Sequence, residues 1–126
     1  MKFKAICENH LYSKAYSKGK RALTSALALY VLPDYQAKRL AKAHPQKILM
    51  NRIGITVSTK LGGAVVRSRV RRIIRAGLQA LLKERALKRG FLIVICARGA
   101  AVKLKSTDIK CQLSVAFENL GMYEKL

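Results

Sequence analysis

Gly62-Gly63-Ala64-Val65-Val66-Arg67-Ser68-Arg69-Val70-Arg71-Arg72-Ile73-Ile74-Arg75 is the stretch on which the fold turns. At about 100° per residue, Val66, Val70, Ile73, Ile74, Gly77 and Leu81 share one arc. The segment therefore predicts a long helix, about residues 64–85, with that arc on a core. Arg67, Arg71 and Arg75 recur every fourth residue as a ridge beside the arc, and Arg69 and Arg72 hold the opposite flank. Like charges at this spacing repel by a few tenths of a kcal/mol per pair, and no acid within the segment relieves them. Arginine also matches phosphate oxygens with a planar fork of donors. The apolar arc carries small and β-branched residues, with Leu only late and no Trp or Phe anchor, which favours packing on a sheet over lying on a membrane.

Strand signals flank this helix. Before it, in residues 48–59, Ile53, Ile55 and Val57 alternate with Gly54, Thr56 and Ser58. After it, Gly90 precedes the unbroken apolar run Phe91-Leu92-Ile93-Val94-Ile95-Cys96-Ala97, the pattern of a strand covered on both faces. Further out, Leu11, Tyr12, Ala15 and Tyr16 predict a first helix over residues 10–18, stopped by Gly19. Residues 24–32 read as a strand ended by Pro33-Asp34. Residues 33–47 carry both prolines and four basic residues, and read as an exposed connection with a helical turn near residues 37–43. Ser106-Thr107-Asp108 caps a last helix through Leu120, whose stripe is Ile109, Leu113, Ala116, Phe117 and Leu120. Helix, strands, helix, strand, helix is a mixed α/β two-layer order within one domain spanning residues 1–126.

The composition narrows the function. The net charge is +20, from 26 Lys and Arg against 6 Asp and Glu, while 51% of residues are hydrophobic. Such a chain has a core, and its surface calls for a polyanionic partner. Between Tyr35 and Lys83 there are twelve Lys or Arg and no acid, so the electrostatic footprint lies mid-chain. Cys7, Cys96 and Cys111 have no paired spacing, which argues against a disulfide framework or a zinc site. Cys96 reads as a small buried hydrophobe, and His10 and His44 as surface histidines. No run approaches the roughly 20 apolar residues of a membrane span, and Glu8-Asn9-His10 interrupts any signal-like start. A soluble, cytoplasmic protein is expected, with no membrane partner. No phosphate-binding G-x-x-x-x-G-K-[ST] loop occurs, and the scattered carboxylates make no nuclease site.

The stretch Arg52-Ile53-Gly54-Ile55-Thr56-Val57-Ser58-Thr59-Lys60-Leu61-Gly62-Gly63 and the arginine helix after it resemble the signature of the bacterial ribonuclease P protein component. In that family a strand ending in S-x-K leads through a Gly-Asn-Ala-Val turn into a helix bearing R-N-R, then K/R-R and a further Arg. Those elements fall on Ser58, Lys60, Gly62, Ala64, Val65, Arg67, Arg69, Arg71, Arg72 and Arg75. Tyr12 and Tyr16 match two aromatics of its first helix, Tyr30 an aromatic ending its first strand, and Phe91–Arg98 its last strand. The resemblance covers nearly the whole chain apart from an enlarged basic connection at 35–50. Departures are Ser68 for the usual Asn of R-N-R, Gly63 for an Asn, Ala76 for a common acid and Leu78 for a frequent Phe.

The resemblance implies an α/β sandwich, a small mixed β-sheet packed with about three helices and joined by a left-handed βαβ crossover. Pattern alone points to the common right-handed connection. It also implies a ribonucleoprotein in which a catalytic RNA subunit, holding Mg²⁺, removes the 5′ leader of precursor tRNA. The protein then contributes no catalytic residue, metal ligand or organic cofactor. RNA binding would fall to Lys60, Arg67, Ser68, Arg69, Arg71, Arg72 and Arg75, and a leader-binding groove to Tyr12, Tyr16, Tyr30 and Ser58. Without the family match, ordinary core packing is the better reading of the tyrosines. The alternative is a non-catalytic ribosomal or RNA-chaperone type RNA-binding protein, which accounts for the basic helix but not for an aromatic groove.

Overall fold

A computed structural model describes residues 3–5, 9–34, 39, 42–43 and 51–123. The side chains of residues 3–5, 9 and 10 fall outside the description, as do Cys7, His44 and nearly all of the 35–50 connection. Within that connection Arg39, Lys42 and Ala43 have helical backbone, where a helical turn is predicted.

Among the described residues the fold is built on β1 (Phe3–Ala5), α1 (Asn9–Lys18), β2 (Lys20–Leu23), β3 (Leu27–Pro33), β4 (Asn51–Thr56), α2 (Ala64–Glu84), β5 (Phe91–Ala97) and α3 (Ser106–Asn119). The sheet order is β1-β4-β5-β3-β2. β4 pairs in parallel with both β1 and β5. β3 pairs antiparallel with β5 and β2, so the sheet is mixed as expected. α2 is the crossover between the parallel neighbours β4 and β5.

β5 is central, and Leu92, Ile93, Val94 and Ile95 are all buried. Its alternate residues feed two cores. Ile93 and Ile95 join Leu27, Leu29, Val31 and Ile53 beneath α2 and α3, while Leu92 and Val94 join Leu32 beneath Leu11 and Ala15 of α1. α2 buries Val70, Ile74, Gly77, Leu78, Leu81 and Leu82. The predicted arc thus holds, with Leu78 and Leu82 added and Val66 and Ile73 at its margins. α3 buries Ile109, Leu113, Ala116 and Phe117 of its predicted stripe. The two helices touch closely at Gly77, where a Cβ would lie 2.9 Å from the Ser106 carbonyl oxygen and 3.0 Å from Lys110 N. α3 begins with the Lys105 N–H donating to Asp108 Oδ2 at 3.0 Å. Asp108 therefore caps from inside the first turn.

Two expectations need correction. The strand predicted over residues 24–32 begins only at Leu27, because Thr24 is a turn residue: its N–H donates to the Leu27 carbonyl and its Oγ1 accepts from Leu27 N. The chain before that turn is a separate strand, β2, which pairs Arg21 with Tyr30 and Leu23 with Ala28. β1 also had no sequence signal, since three residues are too few to show an alternation. The predicted strand region over residues 48–59 is β4 followed by a 3-10 turn, Thr59–Leu61, capped by Ser58, whose Oγ accepts from Lys60 N at 3.2 Å.

Candidate nucleic-acid interface

Strand register defines the sheet surface on the α1 side. Residues directly opposite each other in neighbouring strands point to the same face. One row runs Arg21, Tyr30, Val94, Gly54; the next runs Leu23, Ala28, Cys96, Thr56. α1 lies over β3 and β5 and covers only part of this face. Beside it part of the face stays open to solvent: Thr56 and Cys96 are half-buried, and Arg21 and Leu23 are exposed.

α1 supplies two aromatics to the border of that open part. Tyr12, half-buried, lies over Gly54; a Cβ there would sit 2.7 Å from its ring carbons, so glycine is what lets the ring settle on the sheet. One turn later Tyr16, 44% exposed, meets Tyr30 edge to face, with ring centroids 4.9 Å apart and planes at 81°. The Tyr16 hydroxyl lies 3.5 Å from Cys96 Sγ, which also accepts from Thr56 Oγ1 at 3.0 Å. Burial first, and then the bond to Cys96, push the Tyr16 phenol up to about 12, so it stays neutral in any physiological buffer. Cys96 is therefore not the inert buried hydrophobe its apolar neighbours suggest. It is half-buried and hydrogen-bonded, between Tyr16 of α1 and Thr56 of β4. The structure brings Tyr12, Tyr16 and Tyr30 together, while Ser58 caps the turn that leaves β4. Sequence reasoning missed Thr56 and Cys96, although both are alternate strand residues in register with the tyrosine side.

The cations lie where β4 leaves the sheet. Lys60 is exposed on the 3-10 turn, and α2 starts immediately beyond it. Ser68 and Arg72 sit at the meeting point of two shallow depressions of about 470 and 380 Å³. Arg71 and Arg75 line the first, and Ala64, Val65 and Arg69 the second. Among the described residues no carboxylate pairs with these arginines: Asp34 is taken by Arg52 and Glu84 by Lys110. Arg67 is half-buried, and its Nε is shielded from water without a partner among the described residues. Arg69 differs from the rest. Its guanidinium donates to the carbonyls of Val102 and Leu104 at 3.0 and 3.1 Å, fastening α2 to the Gly99–Lys103 turn.

No group of three or more His, Cys, Asp or Glu able to hold a metal occurs among the described residues. No helix among them is long and apolar enough to cross a membrane.

The family model described as Ribonuclease P matches residues 1–121. The chain belongs to the ribonuclease P protein family. A ribonuclease P protein component of Clostridium acetobutylicum is 37% identical over 122 residues, covering 97% of this chain and 92% of that one. Another, from Clostridium perfringens (strain SM101), is 34% identical over 116 residues, 92% of this chain and 84% of its own. In fold, the chain is similar to a Staphylococcus aureus RNase P protein, with a TM-score of 0.73 and 23% identity, covering 98% of this chain and all of that one. The ribonuclease P protein is a subunit of the tRNA-processing endoribonuclease, and the α/β architecture described above is that of the family.

Proposed function

We propose that this chain binds the catalytic RNA of ribonuclease P through α2 and its preceding turn, and the single-stranded 5′ leader of precursor tRNA through the tyrosine groove. The observation that carries this reading is a division of labour on one scaffold. Aromatic surface is gathered on one sheet face, and a cationic helix with no acid before its last residue, Glu84, begins at the end of that sheet. Stacking on aromatics suits unpaired bases of any sequence, whereas forked cations suit the backbone of structured RNA. Lys60, Arg67, Arg71, Arg72 and Arg75 meet phosphates, with the small Ser68 leaving room between them. The shielded Nε of Arg67 is a donor awaiting an oxygen, which a phosphate supplies. Mg²⁺ is held mainly by the RNA, which carries the cleavage chemistry, and the particle works in the cytoplasm.

Reconstitution tests this. Adding the protein to the matching catalytic RNA should restore precursor-tRNA cleavage at Mg²⁺ concentrations too low for the RNA alone. A ribosomal or chaperone-type protein would bind RNA without that rescue. Robust cleavage by RNA-free protein would overturn the assignment of chemistry to the RNA.

A further inference from the structure

β2, at the edge of the sheet, is a four-residue strand, Lys20–Leu23. Its two faces have different surroundings. Ala22 is buried in the core beneath α2 and α3, and α3 packs against β2 on that side. Arg21 and Leu23 therefore point to the opposite face, the one carrying the tyrosines. α1 does not reach across to cover them, and both are exposed, Leu23 at 52%.

Register fixes where they stand. Arg21 is directly opposite Tyr30, and Leu23 directly opposite Ala28 in the row that continues to Cys96 and Thr56. Neighbouring strands are about 5 Å apart, so Arg21 stands one strand beyond the Tyr16–Tyr30 pair. Its guanidinium has no hydrogen-bond or ion-pair partner among the described residues, and no described carboxylate lies on this part of the face. A cation placed one strand from a stacking pair, with an exposed apolar residue in the next row, matches the alternation of base and phosphate along a single strand.

We propose that β2 is the second wall of the groove: Arg21 holds a phosphate of the single-stranded leader while Leu23 extends the apolar floor beneath an adjacent base. This rests on the groove being the leader site, and it widens that site from the α1 side to the sheet edge. A protein segment adding to the β2 edge would instead leave Arg21 with no preference for nucleic acid.

The test uses the reconstituted particle and precursor tRNAs with leaders shortened one nucleotide at a time, with mature tRNA as reference. Arg21→Ala should weaken binding of the full-length leader about tenfold, the loss of one charge-assisted contact. It should also lower the slope of log affinity against log salt by about 0.7, the value for one phosphate of a single strand. Mature tRNA should bind unchanged, Arg21→Lys should recover part of the loss, and the effect should vanish at a different leader length from that of Tyr16→Ala. Arg89→Ala, which removes the same charge from an exposed position at the far end of the sheet, is the control. If Arg21→Ala matches Arg89→Ala while Tyr16→Ala still discriminates against the leader, the second wall is wrong and the groove stands. If neither Arg21→Ala nor Tyr16→Ala separates leader-bearing from mature tRNA, the groove reading falls with it. A melting temperature for each variant separates unfolding from lost contact.

Discussion

Replacing Arg69 by Ala asks whether an arginine inside an arginine cluster serves the RNA or the protein. The side chain donates to two carbonyls, Val102 and Leu104, at 3.0 and 3.1 Å. Hydrogen bonds from a charged donor are worth roughly 1.5–3 kcal/mol each when water is excluded. Arg69 is half-exposed, so water can reach the released carbonyls, and the combined loss falls to about 2 kcal/mol. Arg72, exposed and with no such bonds, should change stability by less than about 0.5 kcal/mol on the same replacement. RNA binding should rank the two in the opposite order. Arg72→Ala removes a phosphate contact and lowers the salt slope by about one, while Arg69→Ala keeps the slope. Urea unfolding of the free protein and titration of the catalytic RNA across salt concentrations give both quantities. If Arg69→Ala unfolds at the wild-type midpoint and loses a full unit of salt slope, the fastening role is refuted.

Three other outcomes follow from the same geometry. Tyr16→Ala should weaken precursor-tRNA binding to the assembled particle by about 1–3 kcal/mol per lost base stack with mature tRNA unaffected; equal losses for both would make Tyr16 an assembly residue. Asp34→Ala takes both fork bonds, at 2.7 and 2.8 Å, from the buried Arg52, and should lower unfolding stability by about 3–5 kcal/mol; a loss below about 1 kcal/mol would show that the pair is not an anchor. Gly77→Ala forces a methyl against the backbone of α3, so a melting experiment should register about 1–3 kcal/mol of destabilisation, and an unchanged melting temperature would mean the helices separate freely.

What could be read from the sequence was whatever repeats at a fixed period. α2 and α3 announce themselves through 3.6-residue apolar stripes, and β5 through an unbroken apolar run flanked by Gly90 and Arg98. The cationic character of α2 needed no coordinates either. Short edge strands carry no such signal: β2 reads Lys-Arg-Ala-Leu, in which Ala22 alone is buried, so pairing with β3 and not pattern makes it a strand. The same limit hid the partner of Arg69. Helical spacing places a side chain on a flank, but only the packed Gly99–Lys103 turn supplies the carbonyls that occupy it. For the tyrosines, spacing was compatible with a core. Register, and the short reach of α1, put them at the border of a core and a solvent-exposed part of the sheet face.

The position of β5 bears on how the protein is made. It is the last strand in the sequence, yet it lies at the middle of the sheet, between β4 and β3. A nascent chain that has emerged only as far as α2 holds the β2–β3 hairpin and the parallel β1–β4 pair as two pieces with nothing to join them. Parallel pairing and distant partners both slow folding, and an unjoined strand edge is open to wrong pairings. Here the polypeptide up to α2 is also heavily cationic, so polyanions in the cell can capture it before Phe91–Ala97 arrives. Residues 91–97 are thus a closing zipper, and synthesis that stalls before them should yield a soluble-to-aggregated mixture bound to RNA at random, with no native sheet.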